Sequence, residues 1–311
     1  MNVSLAAGGR AAVRCCSRKQ YIISPTTFIR CISRYDSPIN GPLSTLPAPL
    51  DIPPPRRPEQ SVFSYYFQLG KGYLVFYKNG LKNAAWVNPR LVRPVMTKWR
   101  ESKGYAGIRQ NTWLTRSDLQ LLKRHQHDIR RIPLFALLFT VCGEFTPLVV
   151  AAFSNIVPIT CRIPTQVAHD RRKRDERQTA SFENYLPSSS INRSVERLEQ
   201  MTFREKVHCS TMVGRHSNLW PSRILPLPFE WLLTRRLQRY EIYLETDDML
   251  IAKGGGVMLL SPAELEIACM DRGIKVIDKP EAQLRSDLQR WLSDRKKGIT
   301  MWERWLALPR P

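Results

Sequence analysis

Leu260–Leu292 reads LSPAELEIACMDRGIKVIDKPEAQLRSDLQRWL, and this stretch decides the fold class. Ser261 is placed to cap a helix, and Pro262 takes the first position, where a missing N–H costs nothing. Glu264, three residues after the cap, completes a capping box. Leu265, Ala268 and Cys269 share the inward face, and Gly273 ends the helix. Pro280 opens a second helix whose Leu284, Leu288, Trp291 and Leu292 pack back on the first. The result is a helical hairpin in which packing accounts for every apolar position. Hairpins of this kind also bind nucleic acid in other proteins.

The same period runs outward from the hairpin. Phe229–Leu244 predicts a strong helix with Trp231, Leu232, Leu237 and Tyr240 in its apolar stripe. Thr246, Asp247 and Asp248 read as the start of a further short helix that ends at Gly254–Gly256. That glycine run is no phosphate loop, because no strand precedes it and no GK[ST] follows. Val195–Val213 is helix-compatible. The polar stretch from Asn184 to Ser194 and the Pro-rich stretch from Pro221 to Pro228 are connections. Pro164–Ala180 carries the run DRRKRDER on a predicted helix. The expected class is all-α.

Upstream lies the most apolar run, Ile132–Pro158, IPLFALLFTVCGEFTPLVVAAFSNIVP. It has 27 residues and a single ionisable group, Glu144. About 20 helical residues at ~1.5 Å each cross a ~30 Å hydrocarbon core. A single transmembrane helix over 132–158 is therefore expected. Pro133 falls in its first turn, and Pro147 removes the backbone bond to Gly143 and predicts a kink. Glu144 is the candidate membrane-embedded acid. Ionised at mid-bilayer it would cost roughly 2.5 kcal/mol or more. Two readings stay open: a proton or cation relay, or a neutral acid bonding the freed carbonyl or a partner helix. Flanking charge leaves the orientation open, with five Lys and Arg in 112–131 against six in 159–178.

Before the run, residues 1–35 hold no Asp or Glu and six Lys and Arg, with Arg10, Arg14 and Arg18 on one helical face. Acid-free, Arg-rich and Ser-containing composition predicts a mitochondrial presequence. Residues 36–60 hold Pro38, Pro42, Pro47, Pro49, Pro53, Pro54, Pro55 and Pro58, and read as an extended, unpacked linker. Residues 61–131 form a basic aromatic region. A helix is expected from Val62 to Ala85, loosened at Gly70 and Gly72. Its Tyr65, Tyr66, Phe67, Tyr73, Phe76 and Tyr77 sit among Lys71, Lys78 and Lys82. That pattern suits a membrane interface, stacking on nucleic acid, or an ordinary packed helix. Pro89 and Pro94 are expected to break it. A second helix follows Thr115 or Ser117, with Asp118 in its first turn and Leu119, Leu122, His125 and Ile129 on one side. His125 and His127 point about 200° apart on a helix and make no metal site.

The net charge of +21 over 311 residues predicts attraction to polyanions. Residues 1–131 hold 22 Lys and Arg against 6 Asp and Glu, and residues 159–311 hold 26 against 20. The excess is therefore N-terminal. Seven cysteines stand without CxxC or zinc spacing, which predicts reduced thiols, no metal and no cofactor. No nucleophile–base motif is present, so no enzyme is expected.

These residues together resemble the leucine-zipper and EF-hand-containing transmembrane (LETM) family. The likeness begins at Lys71-Gly72-Tyr73 and LTRSDLQLLKRHQHDIRRIP. It continues through Pro133, Glu144, Phe145 and a nearby proline, and closes on LSPAELEIACMDRGIKV and LRSDLQRWL. It covers roughly residues 65–308, with 181–228 weakly matched. The resemblance implies a mitochondrial inner-membrane protein with a LETM-type ribosome-binding domain over 159–311. That domain would have a 14-3-3-like helical fold and face the matrix. It implies mitochondrial ribosomes and inner-membrane lipids as partners, with roles in membrane-protein insertion and ion homeostasis. The alternative it implies is a potassium or calcium/proton exchanger acting as a homo-oligomer. This chain departs from the family as a shortened, fungal-type member. Val141 stands where a further proline is common, Pro147 is shifted by a residue, and no DxDxDG loop or heptad coiled coil is present. EF-hand calcium binding is not carried over.

Overall fold

A computed structural model describes residues 37–56, 58–102, 113–142, 156–184, 194–215 and 230–307. Among them every regular element is helical and no strand occurs. The helices are α1 (Val62–Lys82), α2 (Asn88–Glu101), α3 (Arg116–Ile129), α4 (Ile132–Cys142), α5 (Pro164–Asn184), α6 (Phe203–Met212), α7 (Glu230–Lys253), α8 (Pro262–Asp271), α9 (Glu281–Lys296) and α10 (Met301–Ala307).

Local chemistry sets the ends. Thr115 caps α3 and Thr202 caps α6, each in a reciprocal box with the acid three residues on, Asp118 and Glu205. The hairpin is as read: Ser261 accepts from the Glu264 N–H, Gly273 turns at φ 77°, and Leu284, Leu288 and Trp291 are buried. The expected box is only half made, however. The Glu264 carboxylate faces away from its cap into ion pairs described below.

The main core joins α3 to α5–α10. Leu237 and Leu244 of α7, Leu265 of α8, Leu288 of α9 and Trp305 of α10 all lie at 1 % exposure or less. The short α10 supplies two of its largest side chains, Trp302 and Trp305. A second core joins Phe76 and Tyr77 of α1 to Phe135 of α4 and to Val157, Cys161 and Ile163.

Five further sequence expectations are corrected. The first concerns the linker. Its opening residues are seated, not unpacked: Ile39 is fully buried, Asn40 bonds to the Leu259 carbonyl and the Ser261 N–H, and Ser44 bonds to Asn88. Proline content marks an extended chain but not an unbound one.

Next, α1 is continuous through Gly70 and Gly72. Gly72 and Gly80 allow close approach instead of bending: a Cβ there would meet the Asp51 and Thr160 carbonyls, each at 2.6 Å. Likewise, Pro89 and Pro94 do not break the helix. A single wide turn at Asn83–Val87 carries α1 into α2, Pro89 occupies the first turn, and Pro94 lies inside on the exposed side.

Finally, Asp247 and Asp248 do not start a helix. They lie deep within the 24-residue α7, neutralised by arginines. Trp231, placed in the apolar stripe by period, is 57 % exposed instead.

The apolar run, expected to form one transmembrane helix, is described only in part, and its residues 143–155 lie outside the described residues. Its helix α4 is described to Cys142, and no helix among the described residues is long and apolar enough to cross a membrane. Beyond the undescribed residues, Ile159 donates its N–H to Asp128 Oδ1 at 2.8 Å. The two ends of the run therefore meet.

Candidate functional site

Three helices converge on a buried lattice of charge. Arg116, in the first turn of α3, is fully buried. It donates through Nε to Asp247 Oδ1 at 2.9 Å and through Nη1 to Glu264 Oε2 at 3.0 Å and the Ile39 carbonyl at 2.8 Å. Two turns on, Arg124 Nη1 pairs with Glu264 Oε1 at 2.8 Å and donates to Thr45 at 3.0 Å. Arg272, at the end of α8, grips α7 by donating to Asp247 Oδ2 at 2.8 Å and Asp248 Oδ1 at 2.5 Å. The Trp291 indole donates to Asp248 Oδ2 at 3.3 Å, and that of Trp305 to the Arg272 carbonyl at 2.9 Å.

Burial alone would favour the neutral acids, and the arginines outweigh it. Asp247 is held below the usual carboxylate range by Arg116 and Arg272, and Glu264 by Arg124 and Arg116. Such a lattice adds little net stability over an apolar replacement, but losing one member leaves a bare buried charge at about 3–5 kcal/mol. Its effect is to lock α3, α7 and α8 in one register.

Beside it, Lys123 donates to Asp271 at 2.6 Å and to the Tyr243 hydroxyl at 2.8 Å, while that hydroxyl donates to Asp271 at 2.8 Å. Burial pulls the Lys123 ammonium down to about 8, with Asp271 opposing the fall. Gln120 joins the two groups by donating to both the Tyr243 hydroxyl and Asp247.

The locked α7 turns an opposite face to solvent. Trp231, Arg235, Arg239 and Ile242 recur at one-turn spacing on that side, and all are exposed. Arg235 and Arg239 make no ion pair among the described residues, so both charges are available to a polyanion. One flank is acidic, where Glu241 lies beside Glu245 and Glu199. Burial, reinforced by Glu245, pushes the Glu241 carboxyl up to about 7. A cleft of about 590 Å³ lies elsewhere, floored by Phe182, Ile274 and Trp291. Its rim mixes Lys275, Lys279 and Arg290 with Asp287 and Asp294, so it selects no single sign of charge.

Glu144 and Pro147 lie outside the described residues. Among those described, no group of three or more His, Cys, Asp or Glu is placed to hold a metal ion. Sequence reasoning missed the lattice because Asp247, Asp248 and Glu264 each carry a helix-start signature. One signal was present: Asp247 falls three residues after Leu244 and four before Ile251, on the buried stripe.

The fold and lattice define an all-helical domain built on a charge-locked hairpin, with a basic, aromatic outer face. Residues 221–298 match the family model described as LETM1-like, RBD. That segment is thus similar to a LETM1-like domain, in line with the resemblance carried by the hairpin sequence. No curated protein and no solved structure matches the chain.

Proposed function

We propose that this chain is a mitochondrial inner-membrane protein, embedded through residues 132–158, that binds mitochondrial ribosomes through its C-terminal domain in the matrix. The domain would adopt a 14-3-3-like arrangement and support membrane-protein insertion and ion homeostasis. The observation that carries this reading is the match of 221–298 to a ribosome-binding domain. The exposed Arg235 and Arg239 on α7 add a surface suited to phosphate, with Trp231 beside them for stacking. The acid-free, Arg-rich residues 1–35 support the mitochondrial address, and the apolar run supports the membrane.

The test is co-sedimentation of the full chain in nanodiscs with mitochondrial ribosomes across a salt series. Binding should weaken steeply with salt. Arg235→Glu with Arg239→Glu should reduce the salt slope by about 2, one per lost phosphate contact. Absence of co-sedimentation even at low salt would end the reading.

A second reading is favoured by Glu144, the one ionisable group in the apolar run. It is cation/proton exchange by an oligomer of this chain, since one segment cannot enclose a pathway. Glu144→Ala should then abolish cation-driven proton flux in liposomes, and unchanged flux would remove this residue as the relay.

A further inference from the structure

We infer that Lys123, Arg174 and Arg215 form a phosphate-binding site for an RNA strand, continuous with Arg239 and Arg235 on α7. This rests on the ribosome reading and deepens it by naming where ribosomal RNA is held.

The first observation is convergence. Arg215 follows α6, and the way that helix ends sets its place. Gly214 turns at φ 65°, and the Arg215 N–H donates back to the Ser210 carbonyl at 2.8 Å. A left-handed residue there closes the helix and turns the next side chain away from it. The Arg215 guanidinium lies over the Tyr240 ring, 4.6 Å from its centroid. Lys123 of α3 lies over the neighbouring ring, Tyr243, at 4.0 Å, and the two ring centroids are 5.6 Å apart. Arg174 of α5 completes the group. A Cβ on Gly214 would sit 3.4 Å from the Arg174 Cζ, and Arg174 Nη2 donates to the carbonyl of Met270, the residue before Asp271, at 2.5 Å. Three cations from three parts of the chain thus meet at the end of α8.

The second observation is charge. Asp271 pairs with Lys123. Arg174 donates to the Met212 and Met270 carbonyls, and neither it nor Arg215 makes an ion pair among the described residues. Three cations against one acid leave two positive charges. The adjoining lattice does not cancel them, because its Arg116, Arg124 and Arg272 balance Asp247, Asp248 and Glu264. Burial lowers the Lys123 ammonium to about 8, and Arg215 adds to that fall against the pull of Asp271. An oxyanion set among these donors relieves the repulsion, and a guanidinium fork matches phosphate oxygens.

The third observation is continuity. Four helical residues advance about 6 Å and turn about 40° past a full circle. Arg235, Arg239 and Tyr243 are spaced in this way, and Lys123 covers Tyr243. Cations therefore follow one another at one-turn steps from Arg235 into the site. Glu241 and Glu245 lie on the other flank, beyond Trp231 and Ile242. A row of cations beside an exposed ring is the combination that holds a single strand, with charge for the backbone and a face for a base. An acidic peptide would use the cations and leave Trp231 idle. Tyr240 and Tyr243 are buried beneath their cations, so the site holds the backbone and reads no sequence.

The test titrates the full chain, in phosphatidylcholine nanodiscs, with a fluorescein-labelled single-stranded RNA of mixed sequence, read by anisotropy across a salt series. Arg215→Gln should lower the slope of log affinity against log salt by about 0.7, the value of one phosphate contact on a single strand. Arg215→Lys should keep the slope. Arg290→Gln, on the rim of the cleft floored by Trp291, should leave it unchanged. Arg215 is exposed, and the urea midpoint of each variant checks that the fold is intact. An unchanged slope in Arg215→Gln, or an equal fall in Arg290→Gln, overturns the site. Polyglutamate that displaces the RNA as well as unlabelled RNA does, at equal charge, overturns RNA in favour of an acidic protein segment. Co-sedimentation with mitochondrial ribosomes is measured in parallel. Ribosomes bound with the same salt slope by the parent and by Arg215→Gln overturn the site while the ribosome reading stands. RNA bound through Arg215, with no ribosome bound at low salt, overturns the ribosome reading and leaves the RNA site.

Discussion

Replacing Arg272 by Met keeps the volume and removes the charge from the centre of the lattice. Arg272 is fully buried and holds Asp247 at 2.8 Å and Asp248 at 2.5 Å. Without it Asp247 keeps Arg116. Asp248 keeps only the Trp291 indole at 3.3 Å and the half-exposed Arg295 at 3.7 Å. One buried carboxylate is then nearly bare, and the expected loss is about 3–5 kcal/mol. With a urea dependence of about 3 kcal/mol per molar, the unfolding midpoint falls by roughly 1–1.5 M. The assay is urea unfolding of the full chain in detergent, followed by indole fluorescence. Trp291 and Trp305 both donate to the lattice and report its loss directly. Adding Asp248→Asn should restore much of the midpoint, because a neutral amide has no bare charge to bury. A midpoint within about 0.3 M of the parent, or a double variant no better than the single one, would refute the reasoning.

Glu241 titrates at about 7 in the fold against about 4.5 when unfolded. Its folded value is raised, so it costs nothing below pH 4.5 and costs most above pH 7. The wild type should therefore gain on the order of 1 kcal/mol from this group as pH falls from 8 to 5, and Glu241→Gln should erase that gain in thermal unfolding at the two pH values. Gly80→Ala sets a Cβ 2.6 Å from the Thr160 carbonyl and should lower stability by about 1–3 kcal/mol. Gly70→Ala, which meets nothing within 4 Å, should be neutral or slightly stabilising by the same melting assay.

The helices were legible where a single rule governs. The Ser261, Thr115 and Pro262 signals placed helix starts correctly, and apolar period found the hairpin core at Leu265, Leu284 and Leu288. What stayed hidden depends on partners far along the chain. Asp247 looks like a cap until Arg116, 131 positions away, is brought to it. Pro38 and Pro42 look like spacer until Ile39 finds a pocket and Gly41 finds Glu264, 223 positions away. The apolar run was long enough to cross a membrane, and length alone could not show that Asp128 before it bonds the Ile159 N–H after it. The outer face of α7 was misread for the opposite reason: Trp231 is apolar, and only the packed helix shows it turned outward.

The lattice also orders events in time. In a chain made from its N-terminus, Arg116 and Arg124 emerge more than a hundred residues before Asp247 and Glu264. Until then Arg116 and Arg124 of α3 lack the acids they bury against, and Gly41 waits for the Glu264 carboxylate. Closure is thus the last step of folding and of high contact order, so it should be slow. A chain still being made will hold its basic first half open, and exposed to chaperones, until Asp247 and Glu264 have been added.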